Sequence, residues 1–235
     1  MEHAICKAAL VVIDLENGFV AHGSPHRIAT AEETLPACAK VIRASREHGI
    51  PVIFVKRIYR QDGSDVEITR WKAWNDGGRS MGPSSTGSAG AEAPAEVRPE
   101  AGDYTLIKPR WSAFFQTELD LLLRRLGINT VVLIGTTTPN CIRTTAYDAN
   151  AMDYEVVIVE DCCSSQTAEI QKANIEDLRR MGAVISDSSR FCTRLPGQDY
   201  QGYVEQIRKD IQDSNTAPEP IRKQDGGHAG WLDIW

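Results

Sequence analysis

The chain predicts an α/β fold: a three-layer, doubly wound parallel sheet of six strands with helices on both faces. Three observations predict it. Short apolar runs recur without polar alternation, as strands buried on both faces require. Segments of helical periodicity lie between them. Glycines at 49, 127 and 182 end those helices shortly before the next apolar run.

Taken in order, residues 8–14 read as a buried strand that ends in the carboxylate of Asp14. Residues 30–48 carry helical spacing through Leu35, Cys38, Ala39 and Ile42, and Gly49 stops them. Residues 51–57 are a second strand, rich in Val and Ile. A long polar segment, 59–103, follows; its many glycines, with prolines 83, 94 and 99, read as a lid, a binding loop or a disordered stretch. Trp71 and Trp74, three apart within it, suggest partial order against the loop's own base or a partner surface. Residues 104–108 form the third strand and 118–126 a helix. Residues 130–135 form the fourth strand, with a helix over 140–153. A strand at 155–160, a helix at 167–181 and a strand at 183–186 complete the alternation. Domain boundaries fall at 1–195 and 196–235, the second part being a helix over 200–211 and an apolar tail ending in Trp235. Such a tail is costly in water, so it is expected to dock on its own domain or on a second subunit of a homo-oligomer.

Composition narrows the function. A net charge of −6 argues against nucleic-acid binding, which normally shows a basic patch. No apolar run is long enough to span a bilayer, and residues 1–7 lead straight into a strand, which predicts no signal peptide. The six cysteines show no CxxC pair and no metal-ligand spacing, so a reducing, cytoplasmic setting is expected. His22 and His26 are separated by Gly23, Ser24 and Pro25, which break any helix that would align them on a metal; they read as loop histidines. No phosphate-binding glycine fingerprint follows the first strand. Neither a nucleotide cofactor nor a metal is expected, and the partner is a small-molecule substrate.

Cys141 is the most informative residue. It follows the apolar run 130–134 and a tight polar turn, and a helical pattern begins at once. A helix N-terminus offers outward backbone N–H groups and a positive dipole end, both of which favour thiolate, the nucleophilic form. The other reading of such a residue is a buried structural cysteine. Asp14 and Lys108 also sit where strands run out, and a doubly wound sheet gathers those strand ends along one edge. A carboxylate to take the thiol proton and an ammonium to stabilise both partners would then meet a nucleophile.

These residues resemble the isochorismatase-like cysteine hydrolases, Rossmann-like enzymes nearest in character to the ureidoacrylate and N-carbamoyl amidohydrolases. The resemblance rests on Val11-Val12-Ile13-Asp14-Leu15-Glu16-Asn17-Gly18-Phe19, on Lys108-Pro109-Arg110-Trp111-Ser112-Ala113-Phe114-Phe115, and on residues 135–148 around Cys141. It spans about residues 8–190. It implies an Asp14, Lys108, Cys141 triad, a non-proline cis peptide just before Thr137, and an oxyanion hole from the backbone N–H groups of Thr137 and Cys141. Phe19, Trp111 and Asn140 are candidate substrate-binding residues; the cations between Lys56 and Arg60, and Arg110, are candidates for holding a substrate carboxylate. Two departures stand out. Residues 56–62 hold no histidine where nicotinamidases carry metal ligands, and Glu16 stands where the family often has Gln, a carboxylate expected to face water or an unusual partner. The expected activity is cysteine-dependent cleavage of a C–N bond in a small amide, ureido or carbamoyl compound. The alternatives are vinyl-ether hydrolysis and a catalytically silent binding protein.

Overall fold

The apolar runs become strands β1 (Ala8–Ile13), β2 (Val52–Arg57), β3 (Tyr104–Lys108), β4 (Thr130–Thr136), β5 (Glu155–Ser164) and β6 (Val184–Ser186) in a computed structural model, which describes residues 7–22, 24, 26–79, 90–193 and 200–214. They form one sheet in the order β3-β2-β1-β4-β5-β6, with every neighbouring pair parallel. The order reverses direction at β1 and β4, so the carboxyl ends of these two strands flank the crevice where doubly wound sheets bind ligands.

The helices are α1 (Asn17–Val20), α2 (Ala31–Glu47), α3 (Ile68–Asp76), α4 (Leu119–Arg125), α5 (Arg143–Ala151), α6 (Ala168–Arg180), α7 (Ser188–Thr193) and α8 (Tyr200–Ser214). Strand side chains alternate between faces, and β1 shows the result. Ala9, Val11 and Ile13 pack with Leu119, Leu123, Ala146, Ile175 and Leu178, from α4, α5 and α6. Ala8, Leu10 and Val12 pack with Leu35, Cys38, Val41 and Ile42 of α2 and Phe191 of α7. Both faces of the central strands are therefore covered, and each buried Val, Leu or Ile contributes about 1.5–3 kcal/mol relative to exposure.

Two differences from the sequence reading have clear causes. The segment 59–103 is not a plain loop: it contains α3 and a one-turn 3-10 helix, Ala95–Val97. Trp74 is buried with Tyr59 and Val66, its ring meeting Tyr59 edge-on with centroids 6.2 Å apart, so the helix seats on the segment's own base. A Cβ on Gly63 would lie 2.4 Å from the Trp74 ring, and its φ is +73°; only glycine fits there. Strand β5 runs on to Ser164, past Glu160 and Asp161. The sequence reading ended this strand at 160, but Asp161 continues it and accepts hydrogen bonds from the Ser188 N–H (2.8 Å) and Oγ (2.6 Å), which tie β5 to α7.

The chain divides into two compact units, 1–197 and 198–235. In the second, α8 exposes Ile207 and Ile211. The expected docking of residues 215–235 lies outside the described residues.

Gly135 closes the turn at the end of β4. Its φ is +118°, and a Cβ there would meet the Ile13 carbonyl oxygen at 2.0 Å, a backbone contact that cannot swing aside. Gly135→Ala is therefore expected to destabilise the fold by at least about 2 kcal/mol, well above the ordinary surface effect. Urea melts of the two proteins check this.

Candidate active site

Three side chains converge at the carboxyl edge of the sheet. Asp14 is the first residue past β1; its backbone N–H donates to the Val55 carbonyl (2.9 Å), and its φ of +51° puts it in the left-handed region that non-glycine residues rarely occupy. This turn of the backbone breaks the alternation of β1. Lys108 is the last residue of β3, opposite Arg57 of β2. β2 lies between β3 and β1, so the two backbones are about 10 Å apart at two strand spacings. The long lysine stem bridges that gap. Its side chain is fully buried, and Nζ lies 2.8 Å from Asp14 Oδ2, 3.3 Å from Cys141 Sγ and 3.1 Å from the Arg110 carbonyl oxygen.

Cys141 lies in a π-helical turn, Thr138–Ile142, that leads into α5. The Thr137 carbonyl accepts from Asn140 N–H (3.2 Å) and Ile142 N–H (3.3 Å), and Cys141 between them is skipped. An α-helical register would have given that carbonyl to the Cys141 N–H. The Thr136–Thr137 peptide is cis, where the resemblance places it. Thr137 and Thr138 donate their side-chain hydroxyls to the Ser164 carbonyl, which fixes this turn against β5.

Asp14 Oδ1 is buried and has no hydrogen-bond partner among the described residues, whereas Oδ2 is held by Lys108. Burial pushes the Cys141 thiol up to about 12; the Asp14 carboxylate adds to this, and Lys108 and Arg57 oppose it. The expectation of a resting thiolate is therefore corrected. Helix-terminal effects of up to about 2 kcal/mol do not offset the loss of solvent around the sulfur. A protonated thiol is a competent nucleophile only if a base takes its proton as the new bond forms, and the unpartnered oxygen of Asp14 has the chemistry for that.

A cavity of about 120 Å³ opens onto the sulfur. Asp14, Phe19, Trp111, Thr137, Asn140 and Cys141 all line it, so the structure brings these sequence candidates together. Lys108 stands behind Asp14 and does not line it. Arg57, Arg70, His26, Ile28 and Thr136 line it as well. Of the cations proposed for a carboxylate, Lys56 donates to the Ala91 carbonyl (2.9 Å), Arg60 is exposed, and Arg110 is engaged by the Asp65 and Pro109 carbonyls. Arg57 alone of that group reaches the cavity. Arg70 went unrecognised because its helix, α3, was read as loop. His26, read as a loop histidine, is half-buried at the cavity; burial lowers its pKa, and Arg70 lowers it further, so it is neutral at pH 7. His22 is exposed as expected.

Of the two settings expected for it, Glu16 does not take the one facing water. It is buried, and burial pushes its carboxyl up to about 9, with the Asp14 charge adding to the effect and Lys56 and Lys108 opposing it. At neutral pH it is a neutral carboxylic acid, close in shape to the glutamine often found there but with one donor where the amide has two.

Two outcomes follow. The folded pKa of Glu16 lies above its ordinary value of 4.5, so the native state holds the extra proton between the two values. Its contribution to stability is complete below pH 4.5 and is lost as pH rises towards 9. At pH 7 the loss is on the order of 3 kcal/mol. Glu16→Gln is expected to gain stability over the parent as pH rises from 5 to 8, by about 1.4 kcal/mol per unit, in urea melts. Iodoacetamide labelling of Cys141 in the ligand-free protein is expected to rise about tenfold per pH unit without a plateau below pH 10, as read by mass spectrometry.

The isochorismatase domain profile matches residues 8–190. A protein of Arabidopsis thaliana named a probable inactive nicotinamidase is 38% identical over 176 residues, covering 74% of this chain and 89% of its own. A ureidoacrylate amidohydrolase of Pantoea ananatis is 31% identical over 202 residues, covering 79% of this chain and 81% of its own. The crystal structure of N-carbamoylsarcosine amidase from Thermoplasma acidophilum superposes with a TM-score of 0.65 at 36% identity, covering 77% of this chain and 96% of that one. With its six-stranded parallel sheet and a match running through all the strands, the chain belongs to the isochorismatase family.

Proposed function

We propose that the protein is a cysteine-dependent amidohydrolase that cleaves the C–N bond of a small amide, ureido or carbamoyl compound. One observation carries this reading. A buried carboxylate with one oxygen on an ammonium and the other unpartnered sits beside a protonated thiol at the floor of a cavity. Unsatisfied buried oxygens are rare and costly, and a proton-accepting role explains this one.

The thiol attacks the substrate carbonyl while Asp14 Oδ1 takes its proton. Charge collects on the carbonyl oxygen, which the N–H groups of Thr137 and Cys141 receive; one such donor is typically worth about 3–4 kcal/mol of transition-state stabilisation. The protonated Asp14 then gives its proton to the departing nitrogen, and the C–N bond breaks to leave a thioester on Cys141. A water molecule, its proton taken by Asp14, attacks the thioester; the acid product leaves and the thiol regains its proton. Lys108 holds Asp14 Oδ2 and so leaves Oδ1 for the proton. Its gross attraction is on the order of 4–6 kcal/mol at an effective dielectric near 20, partly offset by desolvation of both ions. The amide and ureide substrates named for the Pantoea and Thermoplasma relatives support the bond class.

A second reading, a silent protein on this fold, draws on the Arabidopsis relative named as probably inactive. Ammonia release from a panel of ureido acids and carboxamides separates the two. Turnover is expected, with Cys141→Ala reducing it by at least about 10³-fold and Asp14→Asn by about 10²–10⁴-fold. Rapid-quench mass spectrometry should find an acyl adduct on the Cys141 peptide. Undiminished release by Cys141→Ala would overturn the covalent route, and no release with any substrate would favour the silent reading.

A further inference from the structure

We propose that Thr136 is a positioning residue for the second half of the reaction: its hydroxyl oxygen and Asp14 Oδ1 together hold the water that hydrolyses the thioester. This rests on the amidohydrolase reading and adds to it the group that places the second nucleophile.

Thr136 is the last residue of β4, is 1% exposed, and lines the same cavity as Asp14 and Cys141. Its Oγ1 is buried and has no hydrogen-bond partner among the described residues. Other buried hydroxyls are satisfied: Thr34 donates to the Ala31 carbonyl, Ser45 to Val41, Thr138 to Ser164 and Thr145 to Cys141. Ser164, whose hydroxyl is also unpartnered, faces Thr136 across β5 but does not line the cavity. Valine has the same branched shape as threonine and would fill position 136 without burying an unsatisfied oxygen. The hydroxyl therefore finds its use in the occupied site.

The sheet puts this hydroxyl beside the base. β1 and β4 pair in parallel with Ile13 opposite Gly135, so Asp14 and Thr136 each follow by one residue at the tips of hydrogen-bonded strands. Neighbouring strands run about 4.8 Å apart. Asp14 Oδ1 and Thr136 Oγ1 are both unpartnered, so they are not bonded to each other. One water, with hydrogen bonds of about 2.8 Å, reaches two oxygens up to about 5.5 Å apart and so bridges a gap of that size. A carboxylate oxygen only accepts, and a hydroxyl oxygen accepts as well, so the bridging molecule has to bring two protons, as water does. In the second half of the reaction it donates one hydrogen bond to Asp14 Oδ1 and the other to Thr136 Oγ1, which leaves a lone pair for the thioester carbon. Asp14 takes the first proton as the O–C bond forms. The C–S bond then breaks with its electron pair going to sulfur, which takes that proton back from Asp14. Thr136 neither gains nor loses a proton; its part is orientation.

The two nucleophiles of thioester cleavage test this. The acetyl-enzyme is prepared from the full chain with p-nitrophenyl acetate. Loss of the acetyl mass from the Cys141 peptide is then followed in water alone and with added hydroxylamine, which attacks thioesters without help from a base. Thr136→Val is expected to slow decay in water by about 10–100-fold and decay with hydroxylamine by less than about 3-fold. Thr136→Ser keeps the hydroxyl and should bring decay in water back to within about 5-fold of the unsubstituted protein. Unchanged decay of Thr136→Val in water overturns the proposal. So does an equal slowing with both nucleophiles, which a merely structural role would produce, and so does a Thr136→Ser protein as slow as Thr136→Val. An amide nitrogen also brings two protons; slower adduct formation from a carboxamide with unchanged decay in water would move Thr136 to the leaving group and overturn the water assignment. If the unsubstituted protein forms no adduct on Cys141, the hydrolase reading falls and the water site with it. If the adduct forms and Thr136→Val loses it at the ordinary rate, the water site alone falls.

Discussion

A fully buried ammonium has to be neutralised, and in this chain that requirement organises the carboxyl edge of the sheet. Lys108 has no contact with solvent, so its charge is tolerable only beside a carboxylate. Asp14 meets it only because the backbone leaves β1 in the left-handed region, and that bend stands next to the Gly135 approach to Ile13. Cys141 sits at the third corner, 3.3 Å from the same nitrogen. The strand order, the glycine and the turn before α5 are therefore conditions for one ion pair.

Burial sets the protonation states around the pair, and the Asp14 charge adds to it: Glu16 stays protonated mainly because it has lost its solvent. The thiol likewise keeps its proton. The ion pair is balanced at the floor of the site, and a thiol that keeps its proton there is spared chance oxidation.

Much of this was legible in the sequence. The strands were readable because both faces are covered, which makes the runs 8–13, 131–134 and 156–159 continuously apolar. Asp14, Lys108 and Cys141 were readable because each is the polar residue at which an apolar run gives out, and the topology gathers such ends. What could not be read depended on burial at a distance. Glu16 looks like a surface carboxylate until Asp14 and the sheet edge close around it. Arg70 and His26 lie in segments whose local pattern is polar, and only the seating of Trp74 on Tyr59 carries α3 to the cavity. The helix-terminal thiolate argument failed for a related reason: a sequence shows the dipole but not the missing solvent.

The position of α3 has an evolutionary consequence. The reacting groups are fixed by strand tips, whereas Arg70 arrives on an insert between β2 and β3 that carries its own small aromatic base. The strand-tip groups and the insert are separate pieces of chain: α3 seats on its own aromatic base, so the insert can be rewritten while sulfur, acid and ammonium stay in register.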